Sequence, residues 1–265
     1  MSVRAARVTL VVIALSLLAH GDEWNRQFNV TAKPELQVTA NDARVSLSAW
    51  DKNQIEVQVH TSGVRIPDQL QVNAEQTGNK VRVDLHSNSS FCIGLCIKIV
   101  EVTIHVPKDS LISARTSDGR IEAEDLSGDI RLRSGDGRIT GHNLSGSLNA
   151  ETSDGRVEVD GRFDQLHIRT GDGRVVARAG YGSKMGGDWS VSTGDGGIDL
   201  ELPMDLAANL DVHTSDGHID SELPVEVQGS TERNSLRGKL NGGGPRLEVH
   251  SGDGSIRLHR VEHSL

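Results

Sequence analysis

The chain has 265 residues, of which 35% are hydrophobic and 3% aromatic, and it carries a formal net charge of −9 at pH 7. This charge argues against a nucleic-acid partner, because phosphate binding requires a basic patch. The scarcity of aromatic residues weakens a sugar-processing function, since carbohydrate clefts usually present aromatic faces to sugar rings. With 29 glycines, the composition favours thin, repetitive β-structure over one thick globular core.

The first 21 residues have the pattern of a secretory signal peptide. Arg4 and Arg7 precede a short apolar run, which ends in a small-residue cleavage pattern at Ala19 and Gly21. The run is shorter than the roughly 20 apolar residues of a membrane helix, and no later segment reaches that length. We therefore expect residues 1–21 to be removed on export. The mature protein is then expected to lack a transmembrane segment and to be periplasmic, cell-surface or secreted.

Residues 22–110 form a β-rich segment that we expect to open the repeat fold. Stretches such as QIEVQVH (54–60) and KIVEVTIHV (98–106) alternate apolar and polar residues, as half-buried strands do. Cys92 and Cys96 are the only cysteines of the chain. In an oxidising compartment they are expected to form a disulfide if the chain turns between them. Two buried thiols, or a metal or redox site, are the alternatives.

From residue 111 onward the sequence repeats a [Thr/Ser]-x-Asp-Gly unit. The copies are TSDGRI (116–121), SGDGRI (134–139), TSDGRV (152–157), TGDGRV (170–175), TGDGGI (193–198), TSDGHI (214–219) and SGDGSI (251–256). The first four aspartates are each 18 residues apart, and apolar positions between them keep the same register. Such a short unit cannot bury its apolar face alone, so neighbouring coils must cover it, about 4.8 Å apart.

This repeat predicts an all-β fold, a parallel β-helix or β-solenoid with 18-residue coils. The solenoid is expected to occupy residues 111–260 and to be followed by a tail at 261–265. Asp195, Asp216 and Asp253 follow the regular copies at gaps of 23, 21 and 37 residues. The last gap corresponds to about two coils.

Several features together resemble a family of bacterial β-strand-repeat proteins for which adhesion has been proposed, catalogued as domain of unknown function 4097. They are the signal peptide, a β-rich segment ending in VTIHVPKDS (102–110), the repeated Asp-Gly units, and the closing KLNGGGPRLEVHSGDGSIRL (239–258). The resemblance covers nearly all of the mature chain. It implies a β-solenoid exposed at or outside the cell envelope, and it supplies no catalytic residues.

A structural interpretation of the repeated aspartate places Asp-Gly at the corner of each coil. The glycine would supply a positive φ, and the Asp and Thr/Ser side chains would bond local backbone. The corner residues are then Asp118, Gly119, Asp136, Gly137, Asp154, Gly155, Asp172 and Gly173. An arginine follows two residues after each of these aspartates, at Arg120, Arg138, Arg156 and Arg174. This surface ladder is expected to neutralise the column, since stacked carboxylates repel by about 1 kcal/mol per neighbour in water.

Calcium binding is a second interpretation of the repeat. Asp195, Asp216 and Asp253 lack the following arginine, so any cation is expected to bind there. However, each unit supplies one aspartate, whereas calcium takes six to eight oxygen ligands. We therefore assign no metal ligand and expect no other cofactor.

A polysaccharide-processing β-helix enzyme is a third interpretation, because carboxylate pairs about 5–10 Å apart can perform acid/base catalysis. The sizeable departures from the repeat are residues 179–192 and 222–250. Tyr181, Lys184, Asp188 and Trp189, in the first departure, are interpreted as part of a loop that bulges from one coil.

The sequence thus favours an exported, non-catalytic β-solenoid that acts as an adhesin or as an interaction protein of the envelope surface. Its expected partner is a cell-envelope polymer or a surface protein. A calcium-binding repeat protein and, less favoured, a polysaccharide-processing enzyme are the alternatives. The sequence leaves the oligomeric state open.

Overall fold

The computed structural model describes residues 21–87, 98–227 and 232–261. Residues 1–20 of the predicted signal peptide, both cysteines with their predicted disulfide, and nearly all of the tail lie outside these ranges. Within them every regular element is a β-strand, and no helix long and apolar enough to cross a membrane occurs there. The all-β prediction is confirmed.

Eight strands precede the first Asp-Gly copy. They are β1 (Glu23–Asn29), β2 (Glu35–Ala40), β3 (Arg44–Trp50), β4 (Gln54–Ser62), β5 (Leu70–Thr77), β6 (Lys80–Ser87), β7 (Ile99–Pro107) and β8 (Asp109–Thr116). Their alternation of apolar and polar residues produces alternating buried and exposed positions, most regularly in β4 and β7.

The repeat region supplies the remaining strands. They are β9 (Ile121–Glu124), β10 (Ser127–Ser134), β11 (Ile139–Thr152), β12 (Val157–Thr170), β13 (Val175–Ala179), β14 (Trp189–Thr193), β15 (Ile198–Leu202), β16 (Ala208–Thr214), β17 (Ile219–Ser221), β18 (Glu226–Val227), β19 (Ser235–Leu240), β20 (Arg246–Ser251) and β21 (Ile256–Arg260). β11 and β12 are long because each bends at a register shift and continues into a second set of pairings.

The strands form two faces of a β-helix-like solenoid, which we call sheet A and sheet B. Sheet A has the order β5-β6-β2-β8-β10-β11-β12-β14-β20-β16-β19-β18 and uses the second halves of β11 and β12. Sheet B has the order β1-β4-β7-β3-β9-β11-β12-β13-β15-β21-β17 and uses their first halves. Pairing is parallel through the middle of both sheets. Antiparallel pairs such as β5–β6 and β16–β19 lie toward the ends.

The core consists of apolar columns that run along the stack. In sheet B, Ile139 pairs with Ile121 on one side and with Val157 on the other, and all three side chains are fully buried. In sheet A, Leu148 lies between Ile130 and Leu166 in the same way. Burying each such side chain contributes about 1.5–3 kcal/mol. Every coil has apolar side chains at the same positions, so those of one coil are covered by those of the two neighbouring coils.

The order of coils along the stack departs from chain order toward both ends. β2 and β3 lie between the β6–β7 coil and the β8–β9 coil. In the C-terminal part, β20 lies between β14 and β16, and β21 lies between β15 and β17. The 37-residue gap before Asp253 therefore does not hold two further stacked coils. The chain instead forms the antiparallel β18–β19 pair and then returns to insert a coil.

Candidate binding surfaces: the corner edge and the sheet faces

The repeated Asp-Gly units lie at one bend between sheet A and sheet B, which we call the corner edge. The stacking order of the corner aspartates is Asp118, Asp136, Asp154, Asp172, Asp195, Asp253 and Asp216, as the backbone hydrogen bonds between successive corners show. An eighth copy, which sequence reasoning missed, occupies residues 40–45 and stacks against the Asp118 corner. It has Ala40 and Ala43 in place of the threonine and glycine, and only Asp42, Arg44 and Val45 preserve the signature.

The corner glycines are required by close approach between coils, and not by a positive φ as the sequence suggested. A Cβ built on Gly137 would lie 1.9 Å from the carbonyl oxygen of Gly119, and one on Gly155 would lie 2.0 Å from that of Gly137. Gly119 and Gly173 meet the same obstruction, and none of these four has a positive φ. Positive φ values occur instead at the opposite bend, for example at Gly128 and Gly146.

The Thr or Ser of each unit is buried and links two coils. Thr152 Oγ1 accepts a hydrogen bond from the Gly155 amide at 3.2 Å and donates to the Gly137 carbonyl of the preceding coil, 3.1 Å away. Ser134, Thr170, Thr193, Thr214 and Ser251 repeat this pattern. The hydroxyl thus satisfies backbone groups that the tight corner would otherwise leave unpaired.

The corner aspartates are exposed along the whole edge, including Asp195, Asp216 and Asp253. Inserting the last coil puts Asp253 between the other two, so these three carboxylates occupy consecutive corners. Among the described residues, no group of three or more His, Asp or Glu side chains is placed to hold a metal ion.

The arginines that follow the corners form a row on the outer face of sheet B. Arg120, Arg138, Arg156 and Arg174 lie in successive coils, and Arg44 extends the row. Their ion pairs in the described chain run to carboxylates of the sheet face, as in Arg120–Glu122 at 3.5 Å and Arg156–Glu158 at 3.3 Å. Residues i and i+2 of a strand share a face, whereas the aspartate lies beyond the bend. The row is thus neutralised mainly within sheet B.

The outer face of sheet A carries a second set of arginines, which sequence reasoning did not single out. Arg115 and Arg133 are paired positions on β8 and β10, and Glu151 separates Arg133 from Arg169. Arg133 and Glu151 form an ion pair at 2.6 Å. The signal was present in the residue three places before each corner aspartate, which is Arg in three of the four regular copies.

Two partly buried aspartates join coils in the C-terminal part. Asp199 on β15 accepts hydrogen bonds from Arg174, which immediately precedes β13, and from Arg257 on β21, the latter at 3.2 Å. Burial raises the pKa of Asp199, but the two arginines outweigh it and hold the pKa below its usual value. Asp211 on β16 is held in the same way by Arg237 on β19 and Arg246 on β20, and its pKa is also lowered against the effect of burial. Asp211 therefore links three neighbouring strands, and Asp199 links β15 and β21 to the corner that precedes β13.

The histidines that the structure describes lie at exposed or half-buried positions, on strands except for His218. His213 and His250 are stacked with ring centroids 5.7 Å apart in neighbouring strands of sheet A. At the bend opposite the corner edge, His142 Nδ1 lies 2.7 Å from Asp160 Oδ1, and this hydrogen bond raises the pKa of His142 against a smaller effect of burial. Among the residues described, neither pair belongs to a group of three or more possible metal ligands, which a zinc site would need.

The irregular segment at 179–192 is anchored to the stack. Trp189 begins β14, is fully buried and donates from Nε1 to the Asp164 carbonyl at 3.1 Å. Asp188 accepts a hydrogen bond from the Arg246 amide at 2.8 Å, and the Tyr181 hydroxyl donates to the Val261 carbonyl at 3.2 Å. These side chains therefore hold the inserted coil and the end of the chain in place.

A family model described as Toastrack DUF4097 matches residues 34–186 and 130–259 of the chain. The comparison of this chain with curated proteins found no match.

Several solved structures are similar over most of their length. A protein of Clostridium sporogenes proposed to act in cell adhesion is 13% identical, with a TM-score of 0.44, and the match covers 91% of this chain and 100% of that one. A proposed adhesin of Bacteroides fragilis is 11% identical, with a TM-score of 0.41 and coverage of 91% and 97%. A proposed lipid-binding protein of Parabacteroides distasonis is 13% identical, with a TM-score of 0.40 and coverage of 91% and 97%.

Proposed function

The chain belongs to the Toastrack family, domain of unknown function 4097, and we propose that it is an exported, non-catalytic β-solenoid that acts as an adhesin or interaction protein at the cell envelope. In this proposal, each 18-residue unit is one coil, and each coil presents one set of outward polar side chains on sheets A and B.

The observation that carries this proposal is the regular exposure of polar side chains on both faces of a filled stack. The interior is occupied by buried aliphatic columns, while outward positions on sheets A and B hold Arg, Glu, Asp, Ser, Thr and His in neighbouring coils. A surface of this kind offers many weak and nearly equivalent contacts. Their sum can be strong even when each contact is weak.

Binding to the envelope is tested with the purified mature protein, residues 22–265. We expect it to be retained by isolated envelope fractions of the producing cell in a saturable manner, so that excess unlabelled protein displaces labelled protein. An unrelated soluble protein of similar net charge serves as the control. Absence of retention, or retention that unlabelled protein does not displace, would contradict the proposal.

Export is tested separately by expressing the full chain and sequencing the N-terminus of the protein outside the cytoplasm. We expect processing near Gly21 and Asp22, and we expect a variant with Arg4 and Arg7 replaced by Glu to accumulate unprocessed. Unprocessed wild-type protein confined to the cytoplasm would contradict export.

A further inference from the structure

The arginines on the outer face of sheet A form a linear basic feature on an acidic protein. Arg115, Arg133 and Arg169 are exposed and lie in the same register, with Glu151 between the last two. We call these three residues the sheet A arginine row. The whole chain has a net charge of −9, so this row stands out against its surroundings.

The row has more positive charge than its neighbours neutralise. Arg133 is paired with Glu151 at 2.6 Å, whereas neither Arg115 nor Arg169 has an ion pair with a carboxylate among the described residues. Arg115 and Arg133 occupy adjacent strands about 4.8 Å apart, where two like charges repel by about 1 kcal/mol in water. An anion bound along the row would relieve this repulsion.

Two shallow depressions run along the row, and their linings combine its arginines and neighbouring charged side chains, among them Arg131 and Glu151, with short polar side chains. One has a volume of about 90 Å³ and includes Ser113 and Asn149; the next, of about 260 Å³, shares Asn149 and adds Ser190 and Ser192. The small residues leave space between the longer arginines. Hydroxyl and amide groups in this space can both donate and accept hydrogen bonds.

We propose that the sheet A arginine row binds an acidic polysaccharide that lies along the axis of the stack. This inference rests on the proposed function and names the chemical class of its partner. Guanidinium groups bind carboxylates through paired hydrogen bonds, and the hydroxyl and amide groups of the depressions suit sugar hydroxyls. The strand spacing of about 4.8 Å is close to the length of one pyranose unit, so successive coils meet successive sugars.

A lipid surface fits this face less well. Surface-bound proteins insert apolar side chains below the headgroups. The exposed large hydrophobic residues of the described chain are scattered, and Leu111 is the one that lies on a strand carrying the row. The charged groups here are accompanied by Ser and Asn and not by an apolar patch.

The test uses sodium polygalacturonate as the acidic polysaccharide, with neutral dextran as its control, at about 0.15 M ionic strength. We expect the mature protein to bind polygalacturonate and not dextran. The triple variant Arg115→Ser, Arg133→Ser, Arg169→Ser should weaken binding at least about 10-fold, through the loss of charge-assisted hydrogen bonds. A matched variant, Arg120→Ser, Arg138→Ser, Arg156→Ser, removes the same charge from sheet B and should weaken it less than about 3-fold.

Both triple variants must first show the thermal midpoint of the wild type. The substituted positions are exposed apart from the half-buried Arg156, and surface substitutions are expected to preserve the midpoint. Equal weakening by the two variants would overturn the proposal, because bulk charge would then explain binding. Binding to phosphatidylglycerol vesicles without binding to the polymer would also overturn it. If envelope fractions retain the wild type and the sheet A variant equally, this inference fails while the proposed function stands. Loss of wild-type retention contradicts the proposed function itself.

Discussion

The middle of the stack, residues 109–179, and its C-terminal part, residues 189–260, are built from the same unit but assembled differently. In the middle, coils that follow one another in the chain are neighbours in the stack, as β8, β10 and β11 are in sheet A. In the C-terminal part, the last coil of the chain separates two earlier ones. The comparison shows that the repeat specifies how coils pair, and that it does not specify which coils are neighbours.

Charged contacts differ between the two parts in how many segments one carboxylate joins. In the middle, Arg120, Arg131 and Arg156 pair with carboxylates two residues away in the same coil, and the Arg133–Glu151 pair joins two successive coils. In the C-terminal part, Asp199 and Asp211 each contact two arginines that come from two other segments of the stack. The inserted coil supplies Arg246 and Arg257 to these contacts, and the two aspartates therefore recognise it.

Removing the inserted coil should have the largest effect. Truncation after Gly242 deletes β20 and β21 and thereby the strands that separate β14 from β16 and β15 from β17. Hydrogen exchange should show lost protection over residues 189–240 and retained protection over 109–170, since buried interfaces set local stability. Adding a peptide of residues 244–261 should restore protection. Unchanged protection of β16 in the truncated protein would contradict the insertion.

Adding one methyl group at a corner of the middle part should have the next largest effect. Gly155→Ala places a Cβ 2.0 Å from the Gly137 carbonyl oxygen, so the backbone must move. We expect a loss in the free energy of unfolding at or above the roughly 1–3 kcal/mol of ordinary overpacking. The control is Gly187→Ala, whose Cβ meets only the Gln165 side chain at 3.9 Å. Chemical denaturation measures both, and equal stabilities would show that coils are not in close contact at the corner.

Replacing a corner hydroxyl should lower the free energy of unfolding by a somewhat smaller amount. Thr152→Val preserves shape but leaves the Gly155 amide and the Gly137 carbonyl without their partner. An unsatisfied buried group costs about 1–3 kcal/mol. Thr140→Val, on the half-buried outer face of the same strand, should change the free energy of unfolding by less than about 0.5 kcal/mol. A corner variant as stable as this control would mean that the hydroxyl link contributes nothing.

The aspartate contacts of the C-terminal part should give a smaller, pH-dependent effect. Because the pKa of Asp199 is lowered in the folded state, its contribution is complete above the pKa of the unfolded chain. It is lost as the pH falls through the folded pKa. Asp199→Asn should lower the free energy of unfolding by about 1 kcal/mol at pH 7. The gap to the wild type should shrink below about pH 4. A gap that stays constant from pH 7 to pH 3 would exclude the charged contact as its cause.

The strand columns and the corner edge could be predicted from the sequence because residues 18 apart, such as Ile121 and Ile139, have the same size and polarity. The reason why the corners require glycine could not be predicted, because the sequence of a single coil does not show how closely the next coil approaches. The copy at 40–45 was not recognised in the sequence, because alanine replaces two signature residues. Asp42, Arg44 and Val45 preserve the rest of the pattern. The insertion of β20 and β21 was also hidden, because their apolar columns repeat those of the other coils. The contacts of Asp188, Asp199 and Asp211 with the inserted coil join residues that lie far apart in the sequence.

The inserted coil also has a consequence for the order in which the fold can be completed. Synthesis proceeds from the N-terminus, so β16 and β17 are made before β20 and β21, the strands that separate them from β14 and β15. The segment made last therefore has to lie between coils that were made before it. The C-terminal part of the stack can reach its final order only when the chain up to Arg260 is available.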